Sequence, residues 1–134
     1  MKKYIYLYVL FFFYCGVILQ AKDIKLKFVE TSDIHGDFYS YDFENMVEKS
    51  GGLENVYAYL HEERQTYGKD LFYFDNGDIL QGQPTSYYYN FVDTVSTHIA
   101  ASMLNYMGCN VVNLGNHDVE TGHKVYDRWI KDCK

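Results

Sequence analysis

Three observations predict an α/β fold built on a parallel sheet. Short apolar runs of strand length alternate with longer segments of helical period along the 134 residues. Each strand run ends directly in a polar motif that contains a glycine. No Gly-x-y, heptad or other short repeat offers a competing architecture.

The elements follow in order. Ile24, Leu26 and Phe28 alternate with Lys25 and Lys27, the period of a strand with one wetter face. In GGLENVYAYLHEERQ, Leu53, Val56, Tyr57 and Leu60 fall at i, i+3, i+4 and i+7, an amphipathic helix behind a glycine turn. Leu71-Phe72-Tyr73-Phe74 is a continuous apolar run, as in a strand covered on both faces. Val95, Ile99, Met103 and Met107 recur every four residues, a helix that Asp93 or Thr94 caps and Gly108 stops. Val111-Val112-Asn113-Leu114 is the third strand, and Val125, Trp129 and Cys133 mark a last helix. His98, next to the apolar stripe, is expected in packing or at the surface.

Ahead of these elements the chain reads as an export signal. Met1-Lys2-Lys3 is basic, Tyr4 to Leu19 is apolar, and Gln20-Ala21 precedes the charged Lys22-Asp23, so cleavage after Ala21 is expected. The domain is then 22–134, 113 residues with 18 acids, 10 bases and a net charge of −8. An exported location, periplasmic or secreted, with no stable membrane anchor after cleavage, is the expectation. That acidity removes the footprint of a nucleic-acid polymer binder. Cys109 and Cys133 either pair or stay as separate thiols, and their spacing is not that of a zinc site. The P-loop, the G-x-G-x-x-G fingerprint and the G-x-S-x-G nucleophile motif are missing from the sequence.

The chemistry lies in the motifs after the strands: Asp33-Ile34-His35-Gly36, Gly77-Asp78, and Gly115-Asn116-His117-Asp118. In an open α/β sheet the carboxyl ends of neighbouring strands lie side by side, so these motifs converge. Asp33 and His35, two apart in extended chain, are expected to point to the same side. Carboxylate with imidazole suits Mn, Fe, Zn or Co better than Ca or Mg. A carboxylate on the middle strand, Asp78, is best placed to bridge two ions that together polarise a phosphoryl group.

The set D-x-H, G-D and G-N-H-D resembles the calcineurin-like metallophosphoesterase superfamily. VETSDIHG, SGGLENV, FDNGDILQGQP and NLGNHDVETG are similar to its 5'-nucleotidase and 2',3'-cyclic-nucleotide 2'-phosphodiesterase family of secreted bacterial enzymes. The resemblance implies the N-terminal part of a four-layer αββα sandwich. It implies two divalent ions, with Asp33 and His35 holding the first, Asp78 bridging and Asn116 binding the second. It also implies His117 as the catalytic imidazole, set by a neighbouring carboxylate three residues on, here Glu120 where the branch often has Asp. The implied reaction is hydrolysis of a nucleotide or other small phosphoester by in-line attack of metal-bound hydroxide. Gln81 stands where protein phosphatases carry an Asp, which argues against a protein substrate. After His117 the sequence has only His123, whereas the family completes its site with later histidines. Residues 22–134 are therefore expected to be an incomplete catalytic domain, and the alternative is an inactive fragment with at most weak metal binding.

Overall fold

The computed structural model describes Tyr4 and residues 21–134; apart from Tyr4 and Ala21, the predicted export signal lies outside the described residues. β1 (Lys27–Thr31) leads into a small hairpin, β2 (Tyr41–Asp42) and β3 (Val47–Glu48), then α1 (Leu53–Tyr67) and β4 (Leu71–Asp75). Next come α2 (Pro84–Tyr87), prolonged by a wide turn over Tyr88–Val92, then α3 (Ile99–Tyr106), β5 (Val111–Val112), α4 (Asn116–Glu120) and α5 (His123–Asp132). β1, β4 and β5 form a parallel sheet in that order, with Lys27 opposite Leu71 and Phe74 opposite Val111. The predicted α/β alternation is present, and β4 is the middle strand.

The core lies on one face of this sheet. Leu71, Tyr73 and Asp75 point toward it and are buried, together with Leu53 and Leu60 of α1, Ala100, Ala101 and Leu104 of α3, and Val125 and Trp129 of α5. Each such leucine contributes roughly 1.5–3 kcal/mol by leaving water. Among the described residues the other face carries Phe28, Phe72 and Phe74, stacked at 5.6 and 6.1 Å between ring centres, and Phe28 is exposed.

Three expectations about the elements change. β4 is covered by helices on one face among the described residues, not on both; on its second face Phe72 and Phe74 stack on Phe28 of β1. In β1 the wetter face is the one with Phe28. Lys27 lies on the helix side, its ammonium 3.0 Å from Glu63 of α1 and over the rings of Tyr59 and Tyr67; a long aliphatic stem with a paired head packs like an apolar residue. The helix expected from Val95 begins at Ile99. Asp93 turns its carboxylate onto the N–H groups of Val95 and Ser96, at 3.2 and 3.0 Å, which holds that stretch in a turn. His98 is the cap instead, its ring nitrogen accepting from the N–H of Ala100. Gly108 does stop the helix, at φ +65°.

The hairpin β2–β3 was not foreseen. Cys109 and Cys133 are free thiols, and burial pushes both up to about 11. No helix of the described residues is long and apolar enough to cross a membrane.

Candidate metal centre

The three motifs meet because strand pairing continues past the strand ends. The N–H of Asn76 donates to the carbonyl of Thr31 (2.8 Å), that of Asp33 to Gly77 (3.0 Å), that of His35 to Asp78 (2.7 Å) and that of Asn113 to Asp75 (2.9 Å). The loops after β1, β4 and β5 are thus tied edge to edge. Two glycines permit the approach. A Cβ on Gly77 would run into the backbone nitrogen of Gly115, and one on Gly115 would run into the Asp78 carboxylate.

The backbone here is not the extended chain that the Asp-x-His spacing suggested. Asp33, His35 and Asp78 have φ of +57°, +49° and +57°. A left-handed conformation costs an L-residue roughly 1–2 kcal/mol, and it persists only where surrounding bonds over-determine it. Three of the four left-handed non-glycine residues among the described ones are sequence-predicted ligands; the fourth is Met46.

One donor atom each from His35, Asp78 and His117 lies within 4.8 Å of the others. Asp78 is buried, its Oδ1 accepting the N–H of His117 at 2.8 Å. Asp33 is exposed and stands at the rim, one carboxylate oxygen 3.9 Å from His35 Nε2. Asn116 is exposed at the first position of α4, beside His117. Glu120, one turn further on, lies 3.1 Å from His117 Nδ1 and also accepts from the Gln81 amide at 3.2 Å. His123 is exposed and bonded to Tyr126, apart from this group.

The tautomers follow from these bonds. His35 Nδ1 is 3.0 Å from the carbonyl of Gln81, so it carries the proton and leaves the Nε2 lone pair free. Glu120 accepts from His117 Nδ1 in the same way. Glu120 also raises the His117 pKa above the ordinary imidazole value, with the charges of Asp78 and Asp33 adding to it, and His117 in turn lowers the carboxyl of Glu120. His117 was expected as the catalytic imidazole; its donor atom sits with the ligand group, where it can serve either part.

Sequence reasoning gave no role to Asp118, although it saw the motif that contains it. Asp118 is fully buried. Its Oδ1 accepts the N–H groups of Ile79 and Leu80 at 2.9 and 2.7 Å, and its Oδ2 those of Asp78 and Gly115 at 2.7 and 3.0 Å. One carboxylate therefore clamps the Asp78 turn to the loop after β5. Asp75, also buried, accepts from the Thr31 hydroxyl at 2.6 Å and the Gly77 N–H at 3.1 Å, and burial raises its pKa. The available signal for both was an acid flanked by motif glycines, but that pattern does not reveal which backbone groups it serves.

This donor set fits a divalent transition ion. Two imidazoles keep Nε2 free because their Nδ1 atoms are engaged, and Asp78 keeps one oxygen clear of the His117 bond. Among the described residues no lysine or arginine pairs with Asp33 or Asp78.

Comparison with known proteins gives this geometry a family. The model of the calcineurin-like phosphoesterase family matches residues 26–133. The trifunctional nucleotide phosphoesterase protein YfkN of Bacillus subtilis is 30% identical over 118 residues, 83% of this chain and 8% of the relative. A 2',3'-cyclic-nucleotide 2'-phosphodiesterase/3'-nucleotidase of Salmonella typhimurium is 28% identical over 107 residues, 78% of this chain and 16% of the relative. The crystal structure of the calcineurin-like phosphoesterase YfkN superposes with a TM-score of 0.72 at 27% identity, covering 81% of this chain and 34% of that one. The chain thus spans less than a fifth of the length of these two curated relatives. It belongs to the calcineurin-like phosphoesterase family.

Proposed function

We propose that this chain, a calcineurin-like phosphoesterase, is the metal-binding front of a hydrolase that cleaves nucleotide phosphoesters, either monoesters or 2',3'-cyclic diesters. The observation that carries the proposal is the convergence of His35, Asp78 and His117, with one donor atom each within 4.8 Å. The activities for which the relatives are named support the substrate class.

His35, Asp33, Asp78 and Asn116 would hold two divalent ions from the Mn, Zn, Co and Fe group. When bound, the ions would supply Lewis acidity toward the phosphoryl oxygens and lower the pKa of water. The chain's own groups do the rest. Gln81 and Glu120 fix the two imidazole rings through Nδ1, so each Nε2 keeps a set direction. Glu120 stabilises the protonated form of His117, whose Nε2 is the atom that can pass a proton to the leaving oxygen. The left-handed turns at His35 and Asp78 bring imidazole and carboxylate to one point beyond the ends of the strands, with Asp33 at its rim. An export signal over residues 1–21 would place the protein outside the cytoplasm.

A second reading is favoured by the number of donors. Three donors within reach of one point suffice for one ion with an open position but not for two ions, so this chain alone would bind one ion weakly and turn nothing over. Calorimetric titration with Mn²⁺, followed by hydrolysis assays on AMP and 2',3'-cyclic AMP, separates the two. The proposal expects two ions and metal-dependent hydrolysis that Asp78→Ala lowers by about 100-fold or more, at least the loss that removing a mere supporting partner of a ligand gives. One weak ion without hydrolysis supports the second reading. No ion at all, with Asp78→Ala without effect, would sink both.

A further inference from the structure

The turn that carries Asp78 has an unusual set of partners. Each of the six backbone polar groups of Asp78, Ile79 and Leu80 is bonded to a group outside the turn. The three N–H groups go to Asp118. The carbonyl of Asp78 accepts from the His35 N–H at 2.7 Å. The carbonyl of Ile79 accepts from the Ser86 hydroxyl at 3.4 Å, and that of Leu80 from the Asn90 side-chain amide at 2.6 Å. Ser86 and Asn90 are both buried, in the segment that runs through α2 and the wide turn after it.

Asn90 is itself aimed by a further residue. The N–H of Ala100 donates to His98 Nδ1 at 3.2 Å, so that nitrogen is an acceptor and the proton sits on Nε2. His98 Nε2 lies 2.9 Å from Asn90 Oδ1 and donates to it. The amide is thereby oriented with its NH₂ toward the carbonyl of Leu80. Three bonds in one direction thus run from the start of α3 to the Asp78 turn. His98 is fully buried, and its own N–H is held by Asp132 at 2.8 Å. A buried amide between two fixed partners has one orientation only, and that defines the position of what it bonds.

We propose that Asn90, oriented by His98, is a positioning residue for the Asp78 turn: it holds the carbonyl of Leu80 and so keeps the Asp78 carboxylate at the meeting point of His35 and His117. The role rests on the proposed metal site for its use, but its geometry stands apart from the metal. Asn90 touches neither substrate nor ion; it acts through the backbone of residues 78–80. Removing it leaves a buried carbonyl without a donor and frees one side of the turn, while Asp118 still holds the other.

Amide hydrogen exchange on the full chain, read residue by residue, tests this without any metal. In the wild type the amides of Asp78, Ile79 and Leu80 should be protected as strongly as that of Tyr73 in the sheet. Asn90→Ala should speed their exchange by about tenfold or more, the loss of roughly one buried hydrogen bond, while Val29 and Tyr73 keep their rates. Asn90→Asp keeps the acceptor for His98 but lacks the donor for Leu80, so it should give the same local pattern. Mn²⁺ binding measured alongside should weaken by about tenfold in both variants, in line with lost ligand support. Three results would overturn the assignment: free exchange at 78–80 in the wild type, unchanged exchange there in both variants, or an increase spread evenly over the chain. Absence of Mn²⁺ binding in the wild type would count against the proposed function, and the exchange contrast would still decide the role of Asn90.

Discussion

Two turns in this molecule share a backbone conformation and little else. Asp78 and Met46 are non-glycine residues with φ of +57° and +55°. Asp78 is buried, and its turn is held by His35, Ser86, Asn90 and Asp118, the last of them forty residues away. Met46 is 69% exposed at the tip of the β2–β3 hairpin. There the bonds are local: Asp42 accepts from the N–H groups of Glu44 and Asn45 at 2.9 and 3.0 Å and from the Asn45 amide at 2.8 Å. One strained residue is carried by local turn chemistry, the other by most of the fold. Backbone strain points to a functional site only in the second case, because only there is the conformation set by groups from other elements of the fold.

The contrast is broken most severely at Asp118. Each of its oxygens accepts two N–H groups, so Asp118→Asn must turn an NH₂ against two donors whichever way the amide is placed. Two bonds to a buried carboxylate are lost, at about 1.5–3 kcal/mol each. The expected loss is therefore about 4 kcal/mol, measured by urea unfolding of wild type and variant. The same exchange at the hairpin, Asp42→Asn, leaves an exposed turn solvated and should change stability by no more than about 0.5 kcal/mol. If both variants cost the same, the distinction between a local and a tertiary mount is wrong.

The asymmetry also explains what could be read from the sequence. Strand and helix order was legible, because periodicity in Leu53–Leu60 and the run Leu71–Phe74 reports burial directly. The meeting of the three motifs was legible too, because strand ends of a parallel sheet are adjacent. The environment of Asp78 was not, since Asp118, Asn90 and Ser86 bind backbone groups, and a backbone carbonyl has no letter in the sequence. Two differences in the elements also come from contacts that single letters do not show. α3 starts later than the apolar period suggests, because the period continues through Val95, which is 94% exposed, while the Asp93 carboxylate holds that stretch in a turn. The inner face of β1 carries Lys27, which is polar as a letter but turns its ammonium over the rings of Tyr59 and Tyr67 and onto Glu63.

A second test sharpens the comparison through pH. Burial holds the His98 imidazole down to about 4, with the Arg128 charge adding to this and Asp132 opposing it. The folded form therefore keeps His98 neutral while the unfolded chain takes up a proton near 6.5. Stability is fully present above about pH 6.5 and is lost as pH falls toward 4, where the folded form begins to protonate. The span of about 2.5 units corresponds to about 3 kcal/mol. Urea midpoints at pH 7, 5.5 and 4 should fall accordingly, and amides at Leu80 should lose protection before those of the hairpin change. A flat profile would place His98 outside the buried chain of bonds that ends at the Asp78 turn.

The smallest expected effect lies at the hairpin and has the opposite sign. Met46→Gly removes the left-handed penalty, roughly 1–2 kcal/mol for an L-residue, at a place where the exposed side chain contributes little packing. Glycine gives part of this back through the larger entropy of the unfolded chain, roughly 0.5–1 kcal/mol. The net should be a gain of up to about 1 kcal/mol, visible as a small rise in the urea midpoint. Asp78→Gly relieves the same strain but removes the acceptor for the His117 N–H, at 2.8 Å, and leaves that donor facing the centre. It should lose stability where Met46→Gly gains it. Equal signs at the two positions would mean that the backbone angle alone governs both turns and that the tertiary bonds around Asp78 add nothing.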